Sequence, residues 1–270
     1  MRSNALVRAA ATVLLAGAFV TPMALMVLGS LRSPLLPPAA GLDVWPDDPR
    51  WSNYDSVGSF LDWPTYLLNS AAVVSVAVPV TVLVSSAAGF LLRFGSTKTR
   101  WWVGAACALG LLVPASALWI PRVVLIRSIG LADHTLSIVP SIVAATAPFG
   151  VLLFFLAYAR LPPAWFDVAA TEGLSSLRTW WRIALPAARG ASFALALITF
   201  VYAWSDFIDP LTLVSSPQRW PLALGLRSLA DSEATLYPIY LAAAVLATAP
   251  AALVFLVTRR AIFTVATGER

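Results

Sequence analysis

The chain has 270 residues, of which 59% are hydrophobic and only 11% charged, and its formal charge is +5. Soluble domains carry about 25% charged and about 45–50% apolar residues, so one buried core cannot absorb this excess and much of the surface faces lipid. A single cysteine, Cys107, and a single histidine, His134, exclude an intrachain disulfide, a cysteine-based metal site and paired-histidine metal motifs.

A spanning helix needs about 20 mostly apolar residues. Six segments answer to that: 9–31, 67–92, 101–121, 136–159, 191–214 and 237–258. The predicted fold is therefore an all-α integral membrane protein with six transmembrane helices. Arg2 and Arg8 precede the first segment. Its apolar run to Leu31 outlasts the roughly 7–15 residues of a signal-peptide core, which predicts a retained helix. The loop that follows is acidic, with Asp43, Asp47, Asp48, Asp55 and Asp62. Its Trp45, Trp51 and Trp63 read as packing for that loop rather than as contacts to an external protein. Trp101 and Trp102, directly after Arg100, read as an interfacial belt at the start of the third segment. Proline at 22, 79, 114, 140, 148 and 250 lies in or beside the segments, which membrane helices tolerate when neighbours re-satisfy the freed carbonyls. His134, between Asp133 and Thr135, reads as a solvated loop residue.

Charge distribution sets the orientation. With the N-terminus inside, the inner loops hold Arg2, Arg8, Arg93, Lys98, Arg100, Arg160, Arg178, Arg182, Arg189, Arg259, Arg260 and Arg270, twice the number in the outer loops. Both termini are then cytoplasmic under the positive-inside rule. The same clustering between apolar runs, despite a pI near 9.9, argues against a nucleic-acid partner.

Between the fourth and fifth segments, residues 160–190 are too polar to span. Pro162 and Pro163 suit a helix start, where the missing amide donor costs nothing. Phe166, Ala169 and Ala170 recur at helical spacing, and Gly173 predicts a left-handed cap. A second helix from about Ser175 carries Leu177, Trp180, Trp181 and Ile183, and Pro186 closes it. The result is a helix-turn-helix elbow with small residues where helices touch closely (Ala169, Ala170, Gly173). Phe166, Leu174 and Leu177 form its apolar knob. Glu172 at the turn is placed to accept hydrogen bonds from a partner or to cap the second helix. The bland alternative is an amphipathic helix on the membrane surface, anchored by Trp180 and Trp181.

This stretch resembles the cytoplasmic signature of binding-protein-dependent ABC importer permeases: Glu-Ala-Ala, three residues, Gly, nine residues, then Ile-x-Leu-Pro. Asp167, Val168 and Ala169 stand for the first three, with Asp for Glu and Val for Ala; Gly173, Ile183, Leu185 and Pro186 follow at the right spacing. The order of Asn53-Tyr54, Asn69-Ser70, residues 88–93, Ile120-Pro121, Gly130-Leu131 and residues 200–206 is similar to the maltose-type, carbohydrate-uptake group. The C-terminal TVATGER departs from that group's common Gly-rich tail. The resemblance implies a single permease domain over 1–270 whose elbow, 160–190, docks into a groove on an ATPase subunit. It also implies a second permease subunit, two ATPase subunits carrying ATP and Mg2+, and an extracytoplasmic binding protein or lipoprotein, in a bacterial inner membrane. No cofactor or metal belongs to the chain itself. Sugars, oligosaccharides, amino sugars and glycerol phosphates are the cargo classes implied.

In the fifth segment, intramembrane carboxylates cost about 2.5–3.5 kcal/mol on insertion scales, so Asp206 and Asp209 call for a polar cavity or a partner. Two roles are open for this run. Tyr202 and Trp204 stack on a sugar ring while Ser205 and Asp206 accept its hydroxyls, or all four pack against the second permease. The chain has no P-loop, since Lys98 follows Thr97 rather than Gly. A self-sufficient secondary transporter or channel predicts intramembrane charge pairs and an inverted repeat, neither of which stands out. A single histidine and a single cysteine argue against a membrane-embedded enzyme.

Overall fold

A computed structural model of the protein describes residues 2–35, 45–232 and 234–267. Asp43 and Arg270, both counted in the charge reading, lie outside the described residues. Regular structure among the described residues is entirely helical. In chain order it comprises α1 (Arg2–Ser30), α2 (Ser52–Phe60), α3 (Trp63–Phe94), α4 (Thr97–Leu112), α5 (Trp119–Ser128), α6 (Val139–Ala159) and α7 (Pro163–Thr171). Then come α8 (Ser176–Thr179), a π turn (Trp180–Ala184), α9 (Leu185–Ala187), α10 (Arg189–Ser205), α11 (Ile208–Leu213), α12 (Leu222–Ala230) and α13 (Tyr237–Thr267).

Four helical stretches are long and apolar enough to cross a membrane: Ala11–Ser30, Trp63–Phe94, Thr135–Ala159 and Tyr237–Thr258. The number rises to six if two bent pairs each count as one span. These are Thr97–Leu112 with Ser116–Ser128, bent by 101°, and Ser176–Ala187 with Arg189–Ser205, bent by 79°.

Two of the predicted segments are interrupted within their length. The segment 101–121 stops at Leu112 because Pro114 disfavours helical geometry at the residue before it; Val113 adopts ψ 120°. The segment 191–214 stops at Ser205. Continuing the helix would drive the ring of Pro210 into the Asp206 carbonyl four residues earlier, and Asp206 turns extended at ψ 120°. Pro79, Pro148 and Pro250, by contrast, sit inside continuous helices.

The chain forms two compact units. In the first, Met1–Pro64 with Gly225–Val254, the end of α1 is closed by α2. Asn53 Nδ2 donates to the carbonyls of Ser30 (2.7 Å) and Arg32 (2.8 Å), and Tyr54 shares a 2.7 Å hydrogen bond with the Ser30 hydroxyl. These bonds satisfy carbonyls that a helix end leaves orphaned. Trp45 and Trp51 do not pack the loop as its composition suggests: they are 70% and 67% exposed, Trp51 touching Tyr54 on one face.

The second unit, Thr65–Leu224 with Phe255–Arg270, is built on α3, α6 and α10. In lipid there is little hydrophobic drive between helices, so close approach through small residues supplies the packing. A Cβ added at Gly89 of α3 would fall 2.7 Å from Phe154 Cβ and 2.9 Å from the Val151 carbonyl oxygen of α6. One added at Gly150 of α6 would fall 2.5 Å from Leu195 Cδ2 of α10 and 2.6 Å from Ser85 Oγ of α3. Neither glycine has room for a side chain.

Candidate functional site

The elbow forms as its residues dictate. Pro162 and Pro163 open α7, and Gly173 ends it at φ +69°. The Leu174 amide donates to Ala169 O (2.9 Å) and the Gly173 amide to Ala170 O (3.1 Å), which is a Schellman closure. Ser175, rather than Glu172, caps the second limb through its hydroxyl and the Arg178 amide. That limb does not close at Pro186. It widens into the π turn, where the Leu185 amide bonds to Trp180 O, and runs to Ala187 before the bend into α10.

Burial divides the predicted elbow residues into two sets. Phe166 faces inward, its ring 4.2 Å from Phe94 and 6.5 Å from Phe90 of α3, so it is anchored within this chain. Ala169 is buried beside it, and Leu174 and Ile183 are half-buried. Asp167, Ala170, Glu172, Gly173, Leu177 and Pro186 are exposed. Val168 and Leu177 are 60% and 69% exposed, and Trp165 and Trp181 are exposed apolar side chains as well.

Trp180 is not a surface anchor. Its indole N–H donates to Ser86 Oγ of α3 (2.9 Å), and Ser86 shares a 2.6 Å hydrogen bond with the Tyr158 hydroxyl of α6.

The second candidate region is the break after α10. Tyr202 packs half-buried against the cluster containing Ala77, Ile142 and Leu213. Trp204 stacks on Phe200 at 5.5 Å, and Ser205 donates back to Val201 O at 2.8 Å. Asp206 caps α11 by accepting from the Ile208 (3.0 Å) and Asp209 (3.3 Å) amides through Oδ1. Its Oδ2 is buried with no hydrogen-bond partner. Asp209 is paired with Arg122 of α5, whose Nη1 lies 3.0 Å from both carboxylate oxygens. The two side chains are only 5% and 12% exposed. Nothing in the sequence joins positions 87 apart, and this pair was not legible there.

Two connecting loops are stapled together near this break. Asp133, at φ +55°, accepts from the Ser216 hydroxyl (2.6 Å) and from the Ser216 (2.8 Å) and Ser215 (3.0 Å) amides, with Arg219 alongside. These donors, the Ser216 hydroxyl first, hold its carboxyl below the ordinary value. His134 is exposed, as expected, but its Nδ1 accepts from the Leu136 amide and caps a short turn. Asn69 Nδ2 donates to Gln218 O (2.9 Å) and Trp220 O (3.0 Å), and Ser70 Oγ accepts from the Leu222 amide (2.8 Å).

The family model described as the binding-protein-dependent transport system inner membrane component matches residues 57–264, which take in the elbow, the break and both staples. The chain belongs to that family. The lactose transport system permease protein LacG of Rhizobium radiobacter is 30% identical over 210 residues, covering 77% of this chain and 76% of LacG. The diacetylchitobiose uptake system permease protein NgcG of Streptomyces coelicolor is 26% identical over 219 residues, 80% of this chain and 72% of NgcG. The fold is also that of a chain in the crystal structure of a bacterial ABC transporter involved in alginate import. There the TM-score is 0.78 at 20% identity, and 96% of each chain is covered. The chain is thus a non-catalytic permease subunit of an ABC importer, and ATP hydrolysis falls to separate subunits.

Proposed function

We propose that this chain is one of two permease subunits, paired as a heterodimer, in a bacterial inner-membrane importer for sugars or sugar derivatives. Two ATPase subunits and an extracytoplasmic binding protein complete the assembly, with both termini of the chain in the cytoplasm. Similarity to permeases named for lactose and diacetylchitobiose supports the cargo class. The elbow carries the coupling reading: a protruding limb, closed at Gly173, with Val168 and Leu177 offered outward and Phe166 anchored inward. Held in an ATPase groove, that outer face follows the ATPase as it closes on ATP. The cavity opens outward to receive cargo, and hydrolysis returns it inward.

Purification of the tagged chain in mild detergent, followed by mass spectrometry, tests the assembly. An ATPase and a second permease are expected in the eluate; a chain that elutes alone as a stable homo-oligomer contradicts the proposal.

At Gly173 an added Cβ meets nothing within 4 Å, so the cost of Gly173→Leu begins with its conformation, about 1–2 kcal/mol at positive φ. The turn reorients, and import per ATP hydrolysed is expected to fall. Normal coupled uptake would remove the elbow from the mechanism.

For the cargo path we propose the run Tyr202, Trp204, Ser205 and Asp206. The buried Asp206 Oδ2 without a partner supports it, because such an oxygen is costly unless a transient donor reaches it. The paired change Trp204→Ala with Asp206→Ala is expected to raise the apparent KM for uptake about tenfold, at roughly 1.4 kcal/mol per decade, with assembly intact. An unchanged KM would assign the run to packing.

A further inference from the structure

The two limbs of the elbow are attached to the membrane helices by different physics. The first limb rests on ring contacts: Phe166 lies on Phe94 and reaches Phe90, and no hydrogen bond joins its side chain to α3. Ring contacts keep preferred offset or edge-on geometries but lack the donor–acceptor axis of a hydrogen bond, so they restrain direction less than a buried hydrogen bond does. The second limb is bonded. Trp180, at the start of the π turn, donates to Ser86 of α3, and Ser86 is shared with Tyr158 of α6. Ser86 and Tyr158 are both 0% exposed, so neither can exchange its partner for water. A buried hydrogen bond is directional and costly to break, and a connected chain of them holds its members in one geometry. The π turn that presents Trp180 lies one short helix, α9, before the 79° bend into α10. Single π turns of this kind recur at functional sites.

We propose that the Trp180–Ser86–Tyr158 triad is the rigid link through which the elbow moves α3 and α6, with Trp180 as its positioning residue. The first limb serves as a sliding bearing on Phe90 and Phe94. The proposal rests on the coupling reading of the elbow and specifies where its force enters the helices.

The test uses the whole transporter reconstituted in vesicles and reads import per ATP hydrolysed, together with the thermal midpoint of the complex. Trp180→Phe keeps a ring and removes the donor; Tyr158→Phe keeps the ring and removes the hydroxyl. Both are expected to lower the import-to-ATP ratio about fivefold, the equivalent of losing one net hydrogen bond. Val57→Ala, a buried change in the first compact unit that leaves the triad and the Phe90–Phe94 bearing intact, is expected to lower the midpoint and leave the ratio unchanged. A ratio unchanged in the triad variants, or lowered equally by Val57→Ala, overturns the proposal. Should Trp180→Phe fail to assemble, Tyr158→Phe carries the test alone, since it leaves the Trp180–Ser86 bond in place. A cross-link from Leu177→Cys to the ATPase subunit, in a Cys107→Ala background, runs in the same vesicles. Its absence overturns the coupling elbow itself; its presence with an unchanged ratio overturns only the triad.

Discussion

Replacing Asp209→Ala is expected to destabilise the protein by about 3–5 kcal/mol, because the Arg122 guanidinium is then left charged and almost unexposed without its partner. Both contacts in the pair are 3.0 Å, and they join α5 to α11 across the break that follows α10. The loss should appear as a lower thermal midpoint in detergent. The cost belongs to the stranded charge more than to the bond, so a compensated change behaves differently. Arg122→Met with Asp209→Leu removes both charges and refills the volume, and is expected to recover most of the stability. If Asp209→Ala alone leaves the midpoint unchanged, the pair is solvated in the membrane and is no structural clasp.

Substituting Gly150→Leu is the other severe change. Its Cβ alone would meet Leu195 and Ser85 within 2.6 Å, and α3, α6 and α10 would have to separate. Overpacking of this kind costs about 1–3 kcal/mol and sometimes more. Since these helices also carry Ser86, Tyr158 and the break after α10, the expected result is little folded protein by size-exclusion chromatography. Gly17→Leu provides the comparison. A Cβ added there meets nothing within 4 Å, and a shift within about 0.5 kcal/mol is expected. Equal behaviour of the two variants would show that the close packing at Gly150 is not needed.

Local chemistry made much of this architecture legible before any coordinates. Apolar runs located the helices, because a membrane span imposes a length and a composition that few other structures share. The elbow was legible for a similar reason: Pro162–Pro163 and Gly173 are punctuation whose effect is confined to a few neighbouring residues. What the sequence concealed is of two kinds. Val113 and Asp206 break segments that are apolar enough to run straight through, and hydropathy has no term for the Pro114 and Pro210 rings that stop them. Contacts between distant positions were the other gap. Ser86, Tyr158 and Trp180, or Arg122 and Asp209, meet only because helices cross. A hydroxyl or a charge on an apolar stretch does not name its partner. Phe166 illustrates both points. Its position on α7 was readable, but whether it faced outward or toward Phe94 depended on where α3 passes.

The Asn53-Tyr54 and Asn69-Ser70 pairs, noticed first as a pattern, have structural roles. The former closes the end of α1, and the latter pins the start of α3 to the chain around Trp220.

The most direct test of the central claim is reconstitution of the purified complex in vesicles, with labelled sugar and the binding protein outside and ATP inside. Uptake that requires both ATP and the binding protein, and that stops when the ATPase subunit is omitted, is the predicted result. Sugar exchange by this chain alone, indifferent to ATP, would contradict the account and make it a self-sufficient transporter.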